Sequence, residues 1–136
     1  MSTRSNIVFL TPDNKVHQYY HHCDGYLHGV GEELRWMLVY AIGMRAVGKE
    51  LPIYDLMVES LARDSQYESE YKLNLDCDNR LHADIEFLYV IKDNDLYYVN
   101  EWGIYSKVNS YREVIDYVCR ENNKIDLSKP IKREQN

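Results

Sequence analysis

Two turn signals, each set between runs of β-forming residues, constrain this chain more than any other feature. Thr11-Pro12-Asp13-Asn14 separates Asn6–Leu10 from Lys15–His22, and Asp93-Asn94-Asp95 separates Ala83–Lys92 from Leu96–Glu101. Pro presets φ, and Asp and Asn accept tight bends, so both stretches read as β-hairpins. Between them lie two helical patterns. Glu32 and Glu33 follow Gly29-Val30-Gly31, where a helix N-terminus favours acids, and Val30, Leu34, Met37, Leu38 and Ala41 recur at helical spacing to about Met44. Trp36–Ile42 is apolar nearly all round, which predicts that this helix is the most buried one. A second helix opens at Pro52, carries Ile53, Leu56, Met57 and Leu61 on its inner face and fades near Asp64-Ser65.

Residues 65–80 are ambiguous, with partial alternation at Tyr67, Tyr71, Leu73 and Leu75 and a loop-like Asp76-Cys77-Asp78-Asn79. Ile104–Val108 reads as a further short strand, and Ser110 as the N-cap of a last helix faced by Tyr111, Val114, Ile115 and Val118. This order separates hairpins from helices. It predicts an α+β fold: an antiparallel sheet of about five strands with three helices packed mainly on one face. The 136 residues suit one domain over 1–125, with a loosely ordered polar tail over 126–136.

Composition narrows the function classes. The net charge of −6 divides into +1 over residues 1–49, −9 over 50–101 and +2 over 102–136. An acidic centre argues against general nucleic-acid binding, which needs clustered Lys and Arg, and leaves room for a protein partner or for mimicry of DNA. No apolar run approaches the length of a membrane span. Three widely spaced cysteines, Cys23, Cys77 and Cys119, with no CxxC pair, suit free thiols in a reducing cytoplasm. The thirteen Tyr against two Phe and two Trp predict sheet faces lined by Tyr.

The densest chemistry lies at the end of the first hairpin, in His17, His21, His22, Cys23, Asp24 and His28. These are metal-ligand types, but strand alternation sends His21 and Cys23 to one face and His22 and Asp24 to the other, so no metal set is assigned. His22 and Asp24 share a face and suit acid–base chemistry, with the carboxylate orienting the imidazole. Arg4 on the neighbouring strand could hold an anion, and Ser5 sits beside it without the setting of a nucleophile elbow. Gly-Val-Gly before the helix lacks the spacing and the Lys of a phosphate loop. Asp84 and Glu86 read as a solvated strand face.

The segment Thr3-Arg4-Ser5, with Tyr20-His21-His22-Cys23-Asp24-Gly25-Tyr26 and Gly29-Val30-Gly31, resembles a group of short uncharacterised proteins of bacteriophages, prophages and bacterial mobile elements. His22, Asp24, Gly25 and Tyr26 match that group's His-x-Asp-Gly-Tyr stretch. The chain departs from it with His21-His22-Cys23 in place of Cys-His-aromatic, and with Leu27 in place of Pro. The resemblance implies a mobile-element setting and a unit made of Arg4, His22, Asp24, Gly25 and Tyr26. The expectation is an accessory protein of the bacterial cytoplasm, with no cofactor and a possible homo-oligomeric state. It binds a host protein or a small anionic, nucleotide-like ligand through Arg4, Ser5, Gly25 and Tyr26, and so counters host defence. The alternatives are a small hydrolase or transferase using His22 and Asp24, and an acidic DNA mimic.

Overall fold

The computed structural model describes residues 2–100, 103 and 108–133. Trp102 and the strand expected over Ile104–Val108, apart from Val108 itself, lie outside the described residues. The described residues form five strands: β1 (Ser5–Leu10), β2 (Lys15–His21), β3 (Tyr67–Asn74), β4 (Phe87–Lys92) and β5 (Asp95–Val99). The helices among the described residues are α1 (Glu32–Ala46), α2 (Ile53–Ala62) and α3 (Tyr111–Val118). The fold is α+β, as the order of hairpins and helices predicts.

The strands form one sheet in the order β3-β2-β1-β4-β5. Both predicted hairpins are antiparallel pairs, as is β2 with β3. The exception to the antiparallel expectation is β1 with β4, which pair parallel: the connection after the β3 edge strand carries the chain across the sheet, and β4 enters beside β1 in the same direction. Of the ambiguous residues 65–80, Tyr67–Asn74 form β3, and residues 75–80 are an irregular connection. β4 begins at Phe87 rather than Ala83, since Glu86 N and Phe87 N both donate to Arg4 O and residues 83–86 lead into the strand as turns and bends. Asp93 and Asn94 take positive φ, 51° and 65°, the conformation a two-residue hairpin turn requires.

Alternation along β1 and β2 makes two cores. Ile7, Phe9 and Tyr19 join Tyr89 and Ile91 under Leu34, Leu38 and Ala41 of α1 and Leu56, Met57 and Leu61 of α2. On the other face Val8, Val16, Tyr20, Leu88 and Val90 pack under Val114, Ile115 and Val118 of α3, with Leu75 and Ile85 from the β3–β4 connection. Two helices thus share one face and the third covers the other.

The second face also holds a buried polar network. Asn6 Nδ2 and Gln18 Nε2 each donate to Glu70 Oε1 at 3.0 Å, and Tyr111 Oη donates to Gln18 Oε1 at 2.8 Å. His82 N donates to Asn6 Oδ1 at 2.9 Å, while the His82 ring meets Glu70 and stacks on Tyr20. The network fastens the irregular 75–86 connection to the sheet, and burial pushes the Tyr111 phenol up to about 12. Ser110 caps α3 by accepting from Glu113 N at 3.2 Å, as its position predicts.

One expectation is corrected. α1 is not the most buried helix, because only one stripe of it meets the sheet: Trp36, Val39, Tyr40 and Ile42 are exposed. The segment after Ile125 runs back along α1, with Leu127 and Ile131 against the core. Arg35 holds it there, donating to Leu127 O at 3.0 Å while its Nε and Nη2 engage both oxygens of Glu32, and Glu32 Oε1 in turn accepts from Ile131 N at 2.8 Å.

Tyr111→Phe strands the Gln18 side-chain oxygen in the core. It is expected to destabilise the protein by about 1–3 kcal/mol, the cost of an unpaired buried polar group, as read from urea unfolding. An unchanged midpoint would show that the network does not fasten the second face.

Candidate functional site

β2 ends at His21, one residue earlier than the sequence suggests, and the chain turns at Asp24, whose φ is 54°. Asp therefore takes the left-handed conformation that the Asp-Gly pair leads one to expect of Gly25. Because the strand has already ended, His22 and Asp24 are not set on one face by alternation, and no hydrogen bond joins them among the described residues. His22 Nδ1 lies 3.0 Å from Tyr20 Oη. Asp24 Oδ1 accepts from Tyr26 Oη at 2.8 Å, and that hydrogen bond holds the Tyr26 phenol above its ordinary range. The Tyr26 ring stacks on His28, with centroids 4.2 Å apart.

The glycines serve close backbone contacts. Gly25 N donates to Thr3 O at 2.9 Å, and a Cβ on Gly25 would stand 2.8 Å from that oxygen. Gly25 O accepts from the buried Tyr89 Oη at 2.6 Å. Asp24 O accepts from Val30 N at 2.8 Å, and a Cβ on Gly29 would meet the same oxygen at 2.2 Å. The segment then passes through a π-helical turn, Leu27–Gly31, directly into α1.

The remaining candidates are spread over the same corner. Arg4 Nε faces Asp84 Oδ2 at 3.4 Å, so the cation intended for an anion already has a carboxylate neighbour. Ser5 is buried in β1, paired with His21 and Phe87, and its Oγ has no hydrogen-bond partner. The four residues Arg4, His22, Asp24 and Tyr26 thus fall into two pairs: Arg4, which also faces Asp84, and His22 both meet the Tyr20 phenol, while Asp24 and Tyr26 hydrogen-bond each other. Several acids of the central segment are also paired locally, Glu70 with His82 and Asp76 with Arg112.

Sequence reasoning missed a groove on the outer side of α1 and α2. One cavity of about 440 Å³ is lined by Glu32, Glu33, Trp36, Met37, Ser60 and Arg63. A second, of about 230 Å³, adds Tyr40, Met44, Lys49, Leu56 and Glu59 and shares Ser60 and Arg63 with the first. Trp36 and Tyr40 stack with centroids 5.4 Å apart and planes 6° from parallel, yet are 57% and 50% exposed. The apolar run Trp36–Ile42 was the available signal; periodicity alone does not say whether such a run is covered.

No helix of the described residues is long and apolar enough to cross a membrane. Comparison with known protein families, with curated proteins and with solved structures finds no match.

Gly29→Ala drives a Cβ into a backbone oxygen and is expected to destabilise the protein by about 1–3 kcal/mol, the usual cost of overpacking. Gly43→Ala, at an exposed α1 position with open space for a Cβ, is expected to stabilise by about 0.5–1 kcal/mol. Thermal unfolding of the pair checks this, and equal effects would contradict the close approach at Gly29.

Proposed function

We propose that this chain is a binding protein that docks a host protein through the outer face of α1. The observation that carries the reading is the stacked, half-exposed Trp36–Tyr40 pair on a stripe continued by Val39 and Ile42, with the exposed Val47 and Leu51 just beyond the helix. Apolar side chains cost free energy when left in water, and a contiguous patch of them marks an interaction surface more often than chance. Trp, Tyr and Met are the residue types enriched where partners bury one another. The groove alongside offers Met37 and Met44, side chains that adapt to a partner's shape.

A protein suits this face better than a small anion does. Glu32 and Glu33 stand at one end of the groove, and Arg4 has Asp84 beside it. The N-terminal resemblance supplies the setting, a phage or other mobile element, in which capture of a host protein would counter a defence system.

The test is capture from bacterial lysate by a photocrosslinker at Val39, with and without Trp36→Glu and Tyr40→Glu together. These side chains are half in water, so the double variant is expected to unfold at the same temperature as the parent. It should lose at least about 10-fold in recovery of one specific protein, in line with the weight that aromatic anchors carry in interfaces. Undiminished capture, or a dimer that the double variant dissolves, would contradict the proposal; the second result would assign the face to another copy of this chain.

A further inference from the structure

Three elements bring together side chains that no motif links. His21 ends β2, Glu33 lies in the first turn of α1 and Asp64 follows α2. A ring nitrogen of His21 and one carboxylate oxygen from each acid lie within 4.8 Å of one another. From these we infer a binding site for a first-row divalent transition metal ion such as Zn²⁺.

The acids alone would say little, since carboxylates often cluster on surfaces. What points to a ligand is the histidine. Its side chain is 1% exposed, its Nδ1 is bonded to Cys23 O, and its Nε2 is buried without any hydrogen-bond partner. A buried polar atom left unpaired is a rare and costly feature. With Nδ1–H donating to a carbonyl, Nε2 carries the lone pair, which is the form an imidazole takes when it binds a metal.

Each acid is held in a comparable way from behind. Tyr67 Oη donates to Glu33 Oε1 at 2.7 Å, and Gln66 N donates to Asp64 Oδ1 at 2.9 Å, so each carboxylate has a second oxygen without a hydrogen bond among the described residues. The Tyr67 ring also packs edge-on against His21, centroids 4.6 Å apart, so one side chain steadies both ligands. Three ligands, each oriented by an outer hydrogen bond, are the arrangement expected of a metal centre.

The distances are within reach. Ligand atoms about 2.1 Å from a tetrahedral ion stand roughly 3.4 Å apart, so the acids have to close by at most about 1.4 Å. Glu33 is exposed and Asp64 half-buried, which leaves both free to turn. One nitrogen and two oxygens suit Zn²⁺ or Mn²⁺, whereas Mg²⁺ favours oxygen and water alone. Three protein ligands leave a coordination position for water or an added group. Because Glu33 also lines the 440 Å³ cavity, the ion would border the groove on α1.

The experiment is calorimetric titration of the full chain with Zn²⁺ and separately with Mg²⁺, alongside thermal unfolding. The parent should bind one Zn²⁺ and unfold at a higher temperature with it, and should respond little to Mg²⁺. Glu33→Gln and Asp64→Asn keep the hydrogen bonds to Tyr67 and Gln66, so both should fold normally and weaken Zn²⁺ binding at least 10-fold. A variant with His22→Ala, His28→Ala and Cys23→Ser, which removes the nearby surface chelators, should bind as the parent does. The inference is overturned if the parent binds no Zn²⁺, if the two acid variants bind as the parent does, or if the triple variant loses the ion.

Discussion

The pairing of β1 with β2 decides what every other part of the molecule can do. β1 is buried from Ser5 to Phe9 and bonded on both edges, so its register leaves no freedom to its neighbours. Ser5 opposite His21, Ile7 opposite Tyr19 and Phe9 opposite His17 send one set of side chains toward α1 and α2. Asn6, Val8 and Leu10, with Tyr20, Gln18 and Val16 opposite, serve the α3 face. A slip of one residue would reverse both sets. It would drive Gln18 into the apolar core beneath α1 and pull His21 away from Glu33 and Asp64.

The Asp24-Gly25-Tyr26 corner follows from the same pairing. Once β2 has ended at His21, the chain has to leave the sheet and start a helix within about ten residues. It does so by laying Gly25 against Thr3, bonding Tyr89 to Gly25 and closing Asp24 onto Val30. A segment whose residue types suggest acid–base chemistry therefore works as a junction. Its consequence for function is positional: it sets the first turn of α1, and with it Glu33, above the end of β2.

Much of the fold was legible in the sequence, because its signals are local. Asp93-Asn94 announces a tight hairpin and Ser110 a helix cap through chemistry confined to a few residues. The parallel β1–β4 pair was not legible, since it joins strands some eighty residues apart and hydrophobic alternation does not encode direction. For α1, the apolar pattern was read correctly as helical and wrongly as fully covered. A run such as Trp36–Ile42 looks the same whether its outer side meets a sheet or water. The candidate site divides along the same line. Alternation already separated His21 from His22, but the partners of His21 stand at positions 33 and 64, on other elements, where no spacing rule could find them.

These features combine into one claim: the β1–β2 register buries His21 on the helix side with Nδ1 committed to Cys23 and Nε2 free to accept. Two-bond ¹H–¹⁵N correlation of the histidine side chains, recorded on the metal-free protein at alkaline pH, reads the tautomer directly. The account predicts that His21 carries its proton on Nδ1, with Nε2 showing the shift of an unprotonated nitrogen. A proton found on Nε2 would mean that the ring faces its neighbours the other way, and would contradict the account.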